Sequence, residues 1–315
     1  MDKVSIILAF YNEELTITDC LNSLVNQTYK NIELILVDDS STDKSTFIAR
    51  DFERRYDFIK YFRIEHRDEL QEWPRIQGAK QATGEILFMA EADAKYAQDY
   101  VELCAKHLKN KQVGGVVGHL NVWEPKTFIS KYKALTINPR FANIENMNSE
   151  LAKGNIAVWV FRKQIFDECE GYKEGYYGEE RNLSQRMINK GYKLIYEPNA
   201  KWWHRWRENI GETIESYFHF GRKMYVLNKN DKQLIMKNLY FLAPFVLMAA
   251  SFYSVYFLAL LFLHFIVLEK SGLELYKKSK DNEFRNYALL SPVVSYLQNI
   301  PFAVGFFYSG LIYRQ

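Results

Sequence analysis

The chain has 315 residues, with 41 Lys and Arg against 38 Asp and Glu, and a formal net charge of +3. So even a balance argues against a nucleic-acid binder, which concentrates basic charge on one domain, and a hydrophobic content of 48% excludes intrinsic disorder. Aromatic residues reach 16%, a share that suits membrane interfaces and sugar-binding surfaces alike.

From Val4 to about Val113, short β-rich apolar runs alternate with amphipathic helical stretches, the pattern of a parallel α/β sheet. Val4 to Phe10 predicts the first strand, and its quick closure by Asn12-Glu13-Glu14 is too short and too polar for a signal peptide. Leu15, Ile17, Leu21, Leu24 and Val25 predict a helix over 14–27, and Ile32 to Val37 a second strand ending at Asp38-Asp39. A helix over 42–56, a short strand over 59–64 and a helix over 75–82 follow. Residues 85–90 then form a strand that ends at Glu91-Ala92-Asp93. Ligands of open α/β sheets sit beyond the carboxyl ends of the strands, so two strand ends closing in acids mark a candidate site. A single acid in such a place as often caps the next helix.

Residues 114–170 are less regular, punctuated by Gly114-Gly115, Gly118, Pro125, Pro139 and Gly154-Asn155. Glu179-Glu180 opens a helix that Gly191 closes, and 192–196 reads as a strand stopped by Pro198. Cys20, Cys104 and Cys169 are widely spaced without C-x-x-C, which suggests neither a disulfide framework nor a structural zinc site, and fits a reduced, cytosol-facing part.

The charge is unevenly distributed. Residues 1–200 carry 27 basic and 30 acidic side chains, whereas 201–237 carry 8 and 4. Residues 238–268 and 286–313 contain no Asp, Glu, Lys or Arg, and both runs exceed the ~20 apolar residues needed to cross a bilayer. Three parts are therefore expected: a soluble domain over 1–205, an interfacial amphipathic helix within 206–237, and a membrane domain over 238–315 with two crossings, a short non-crossing hairpin remaining open. With the soluble part facing the cytoplasm of a multi-pass protein of the cell membrane, two crossings would put the basic stretch 269–285 outside, against the positive-inside rule.

The residues from Ile6 to Glu13, the run Val37-Asp38-Asp39-Ser40-Ser41-Thr42-Asp43, Arg75-x-x-Gly78, and Ala82-Thr83-Gly84-Glu85-Ile86 leading into Glu91-Ala92-Asp93 stand in a telling order. With Gly154-Asn155, Gly178-Glu179-Glu180-x-x-Leu183-x-x-Arg186 and Lys190-Gly191-Tyr192-Lys193, they follow the spacing of family-2 glycosyltransferases of the GT-A fold, which the chain resembles over residues 3–205. That resemblance implies a Rossmann-like, mixed, mostly parallel sheet flanked by helices. It also implies an inverting hexosyltransferase that takes its sugar from a GDP- or UDP-sugar.

By the same resemblance Ala9, Tyr11, Asn12, Glu13, Asp38, Asp39, Arg75, Glu91 and Ala92 would bind the nucleotide sugar. Asp93, the second Asp of the family's D-x-D motif, would hold Mg2+ or Mn2+ together with His204, and Glu91 stands where the first Asp would be. Glu179-Glu180 replaces the family's E-D pair, so Glu180 is the expected catalytic base beside Glu179. Gly154, Asn155, Arg205 and Trp206 are expected toward the acceptor; Trp202 departs from the Q-x-x-R-W of processive synthases. A membrane-attached catalytic domain predicts transfer of one sugar to a lipid-linked, polyprenyl-type acceptor. The alternatives are a polyprenyl-phosphate glycosyl synthase and, further off, a processive synthase or a non-catalytic nucleotide-sugar-binding subunit.

Overall fold

The computed structural model describes residues 1–67, 72–142, 144–174, 178–228, 232–251, 256–279 and 283–312. In chain order the first part contains β1 (Val4–Phe10), α1 (Ile17–Val25), β2 (Ile32–Asp38), α2 (Ser45–Arg55), β3 (Ile59–Arg63), α3 (Trp73–Gln81), β4 (Ile86–Glu91), β5 (Ala94–Tyr96) and α4 (Tyr100–His107). It continues with β6 (Val113–Val122), α5 (Phe128–Ala142), α6 (Ile144–Ala152), β7 (Val160–Arg162), α7 (Lys163–Glu168), α8 (Glu179–Asn189) and β8 (Lys193–His204). The last part is helical: α9 (Ile210–Asn228), α10 (Lys232–Ser251), α11 (Tyr256–Lys278), a 3-10 turn over Arg285–Leu290 and α12 (Ser291–Ile312). Two compact units result, one of residues 1–123 and 140–205, the other of 124–139 and 206–315.

In the first unit all eight strands join one sheet in the order β3-β2-β1-β4-β7-β6-β8-β5. The β1, β2, β3 and β4 ladders are parallel, while β7 runs antiparallel to β4 and β6, and β5 antiparallel to β8. β1 and β2 are buried along nearly their whole length, as expected of strands covered on both faces. Helix α3 lies close over β1 because residue 78 is glycine: a Cβ there would come within 2.4 Å of Ile7 Cγ2. That contact sets Arg75, one turn earlier on α3, in its place.

The strand expected to stop at Pro198 continues. β8 pairs parallel to β6 up to Gly118 opposite Glu197, and the register then jumps so that His119 faces Lys201. Residues 198–200 bulge out, which lets the ladder tolerate a proline without a donor. The second half, Trp202 to His204, pairs with β5, and Trp202 is buried and stacked on Tyr96 at 6.0 Å. The cluster that looked like a motif is thus partly core.

At the amino ends of the strands, Glu33 accepts hydrogen bonds from Ser5 Oγ (2.6 Å), Thr83 N (2.7 Å), Thr83 Oγ1 (2.9 Å) and Lys3 Nζ (3.0 Å). Burial alone would raise its pKa, but the bonds from Ser5, Thr83 and Lys3 outweigh burial and pull it down to about 2. Its folded-state value lies below the unfolded one, so this stabilisation is present above the ordinary carboxylate range and is lost as pH falls toward 2. Glu33→Gln is expected to lower unfolding stability at neutral pH by about 1.5–3 kcal/mol and to flatten the acid limb of the stability curve, as measured by urea titration.

In the second unit, α9 packs along α12 through Phe220 on Phe302 (4.9 Å) and Tyr225 on Phe306 (5.1 Å). The approach is close because Gly221 and Gly305 face the other helix: a Cβ on Gly221 would lie 1.9 Å from the Phe302 carbonyl oxygen. The amphipathic helix expected within 206–237 is thus one half of a tightly packed pair with α12. The first uncharged run, 238–268, also differs from expectation. The Tyr240 ring sits 4.4 Å from that of His264, 24 residues later, so the chain reverses within the run instead of crossing as one helix. The apolar stretch of α10, Ile235–Met248, would span only ~21 Å, short of a ~30 Å hydrocarbon core. Among the described residues one helix, Arg285–Ser309, is long and apolar enough to cross a membrane.

Candidate active site

The register of the parallel strands builds the site. Ala9 pairs with both Val37 and Glu91, and Phe10 with Asp38, so residues following β1, β2 and β4 emerge side by side at one edge of the sheet. This is the edge where open α/β sheets bind ligands.

Tyr11 is 45% exposed and stacks on His66, with ring centroids 4.6 Å apart and planes at 17°. His66 Nδ1 lies 2.8 Å from Asp39 Oδ2. Tyr11, Asp39 and His66 together offer flat rings beside a carboxylate, a setting for a nucleobase. His66 was not singled out from sequence, because nothing at its own spacing marks it; only the fold brings it to Asp39.

The other residues expected near the nucleotide divide. Asp38 is fully buried and accepts from Ser41 N (2.7 Å), Thr46 Oγ1 (2.6 Å), Tyr61 Oη (2.6 Å) and Arg63 NH1 (3.1 Å). With its oxygens so engaged it ties the loop after β2 to α2 and β3. Asn12, at φ 55°, accepts from Thr42 N at 2.8 Å and ties the β1 loop to the loop before α2. The Glu13 carboxylate accepts from Thr16 Oγ1 at 2.9 Å, at the entry to α1. Ala92 is buried, which leaves its backbone as the part able to meet a ligand.

Beyond β4, Glu91, Asp93 and His204 bring their donor atoms within 4.8 Å of one another. His204 Nε2 is 3.3 Å from Asp93 Oδ2 and 3.6 Å from Glu91 Oε2. The cause is topological: Ala94 lies opposite His204 in the β5–β8 ladder, and Arg205 N donates to the Asp93 carbonyl at 2.8 Å. Burial raises the Glu91 pKa, with His204 opposing and Asp93 reinforcing the rise. Two carboxylates and an imidazole so converged can hold a hard divalent cation.

Arg75 links this group to the expected base. Its NH2 is 3.8 Å from Glu91 Oε1, and its NH1 is 3.0 Å from Glu180 Oε1 and 3.1 and 3.2 Å from the two oxygens of Glu72. The Trp159 ring centroid lies 5.3 Å from the Arg75 guanidinium carbon. Burial opposes the Arg75 charge, but Glu72 and Glu180 outweigh burial and hold its pKa above the usual value. Glu72 is itself buried, and burial pushes its carboxyl up to about 7, with Arg75 opposing and Glu180 adding to the rise. Glu72 was missed from sequence, where its position one turn before Arg75 was the available signal.

Glu179 sits differently from its neighbour. It is buried and accepts from Arg186 NH2 (2.6 Å), Lys173 N (3.1 Å) and Asn182 Nδ2 (3.2 Å), so it clamps the start of α8 to the preceding loop and has no open face for a substrate. Gly154, at φ 68°, and Asn155 terminate α6, their amides donating to Leu151 and Glu150 carbonyls, and the Asn155 amide donates to Glu150. Arg205 lies beside the cation group through its backbone. Trp206 opens the second unit, with Lys133 Nζ 4.2 Å from its ring centroid.

A mixed, mostly parallel sheet with acids and a histidine at its carboxyl edge is a GT-A-like arrangement. The sequence profile described as Glycosyl transferase family 2 matches residues 5–169, and the chain belongs to that family. It is 28% identical over 231 residues to glycosyltransferase GlyA of Streptococcus pneumoniae, covering 69% of this chain and 33% of that protein. The chain thus spans about a third of that relative's length. It is 23% identical over 259 residues to the dolichyl N-acetyl-alpha-D-glucosaminyl phosphate 3-beta-D-2,3-diacetamido-2,3-dideoxy-beta-D-glucuronosyltransferase of Methanococcus voltae, covering 70% of this chain and 72% of that protein. Among solved structures, mannosyltransferase PcManGT from Pyrobaculum calidifontis in complex with GDP-Man and Mn2+ superposes with a TM-score of 0.60 at 18% identity, covering 98% of this chain and 87% of that one.

Proposed function

We infer that the chain is a membrane-associated, inverting glycosyltransferase that moves one hexose-type sugar from a GDP- or UDP-sugar to a lipid-linked saccharide. The observation that carries this reading is the Arg75 bridge between the Glu91, Asp93 and His204 group and Glu180. It sets a cation site and a carboxylate on either side of one guanidinium. Glu91, Asp93 and His204 would hold Mg2+ or Mn2+, which supplies positive charge against a departing diphosphate. Tyr11, Asp39 and His66 receive the nucleoside, Arg75 adds a fixed positive charge beside the donor, and Glu180 takes the proton of the attacking hydroxyl.

The lipid-linked acceptor is supported from two sides. The Methanococcus voltae relative is named for a dolichyl-phosphate-linked acceptor. The second unit also leaves Phe245, Val246, Met248, Leu263, Phe265 and Val267 exposed, apolar side chains suited to lipid. On this reading residues 1–205 are catalytic, 206–237 lie at the membrane surface, and 238–315 are embedded. A run that reverses at 238–268 would leave the basic stretch 269–285 on the side from which the run entered, the arrangement that the positive-inside rule prefers. The test is to incubate membranes containing the full chain with labelled nucleotide sugars and follow label into the lipid-soluble fraction. Label that requires the protein and one particular donor is expected; label that stays water-soluble with every donor overturns the acceptor assignment.

A further inference from the structure

Glu72 stands outside every motif that carries the family resemblance, yet its carboxylate meets the centre of the site. It is 2% exposed and shares one nitrogen of Arg75 with Glu180: Glu72 Oε1 and Oε2 lie 3.2 and 3.1 Å from NH1, and Glu180 Oε1 lies 3.0 Å from the same atom. Two carboxylates converging on one nitrogen stand close enough to repel when both are charged, and a single guanidinium, itself extended toward Glu91 at 3.8 Å, cannot neutralise three acids. Like-charged carboxylates in such contact commonly hold a proton between them. The more buried of the pair loses more solvation on ionising, so it is the member that keeps the proton. By exposure that member is Glu72, since the Glu180 side chain is 15% exposed.

We propose that Glu72 is a positioning residue for sugar transfer, which carries the proton of the Glu72–Glu180 pair and holds Arg75 so that Glu180 stays a charged acceptor facing the incoming hydroxyl. This inference rests on Glu180 being the base. Buried beneath Arg75, Glu72 acts through Arg75 and Glu180. The groups around it are Arg75 on its own helix, Glu180 from α8, Tyr172 from the loop before α8 and, across Arg75, Glu91 from the end of β4. Tyr172 is buried, and burial raises its phenol further, so it stays neutral and leaves the charge balance to the three acids and Arg75. When Glu72 gives up its proton, two facing carboxylates repel, Arg75 is pulled toward Glu72, and Glu180 loses its geometry; transfer falls on the alkaline side.

The decisive measurement needs no substrate. Infrared difference titration of the purified full chain is expected to show the carbonyl stretch of a protonated carboxylic acid disappearing near neutral pH. That band should be lost in Glu72→Gln, retained in Glu91→Gln, and moved to lower pH in Glu180→Gln, where the neighbouring negative charge is gone. A neutral-pH band of undiminished amplitude in Glu72→Gln overturns the proposal, whatever the activity of the Glu180 variant. In turnover, Glu72→Gln keeps a neutral hydrogen-bonding head at every pH, so the alkaline decline of kcat should move up by about one pH unit or more, with donor KM unchanged. Glu72→Ala should lower kcat by about tenfold or more through misplacement of Arg75 and Glu180. An inactive Glu180→Gln beside a Glu72→Gln profile that coincides with the unmodified protein also overturns the proposal while leaving the base in place. A fully active Glu180→Gln instead removes the base assignment on which the proposal stands.

Discussion

Glu180→Gln is expected to reduce turnover at saturating substrates by about 10²–10⁴-fold, the range a positioned general base contributes. Glutamine keeps the volume of the side chain and can still accept from Arg75 NH1 through its amide oxygen, so α8 and the 3.0 Å contact have no reason to move. What is lost is the capacity to take a proton as the acceptor hydroxyl attacks. Donor KM should therefore stay within about twofold while kcat falls, the signature of an interaction that matters in the transition state alone. Steady-state kinetics with the donor found by the labelling experiment decides it. Undiminished turnover would point to an acceptor that arrives ionised, such as a polyprenyl phosphate, and would remove Glu180 from the chemistry.

The second large effect is expected at the cation group. Removing divalent ions with a chelator should abolish transfer, and Mn2+ or Mg2+ should restore it in the unmodified protein. In Asp93→Asn restoration should fail, with activity lower by about two orders of magnitude, because a metal contributes several kcal/mol of charge stabilisation to a departing diphosphate. His204→Ala removes one of three converging donors and should mainly raise the Mn2+ concentration needed for half-maximal activity. Calorimetric titration of Mn2+ into each variant supplies a readout independent of turnover. Full activity of Asp93→Asn in the presence of chelator would dismiss the metal from this site.

Much of the first unit was legible in the sequence because its cause is local. The runs that became β1, β2 and β4 are continuous stretches of apolar residues bounded by turn residues, and their burial follows from composition alone. Acids at the ends of β2 and β4 could be read the same way, since strand ends can be counted along the chain. What could not be read is which acids face outward. Asp38 and Asp39 are adjacent, yet Asp38 is consumed by four hydrogen bonds from Ser41, α2 and β3 while Asp39 meets His66. Glu179 and Glu180 divide in the same way, one locked on Arg186 and one on Arg75. A pair of neighbouring residues on a strand end or helix start points in two directions, and only the surrounding elements decide which one meets solvent.

The sequence by itself determined the α/β character of residues 1–113, the family and two long uncharged runs near the carboxyl end. It also determined the candidates Asp93, Arg75, Glu180 and His204, because each belongs to a run of residues whose spacing carries information. Tertiary structure decided what joins them. His204 reaches Asp93 because β8 bulges past Pro198 and returns to pair with β5, a ladder between residues about 110 positions apart that no local pattern announces. Glu72 and His66 enter the site through packing, and the run at 238–268 turns back so that the Tyr240 and His264 rings meet. Periodicity records which face of an element is apolar. Which distant element covers that face is settled only when the whole chain has closed on itself.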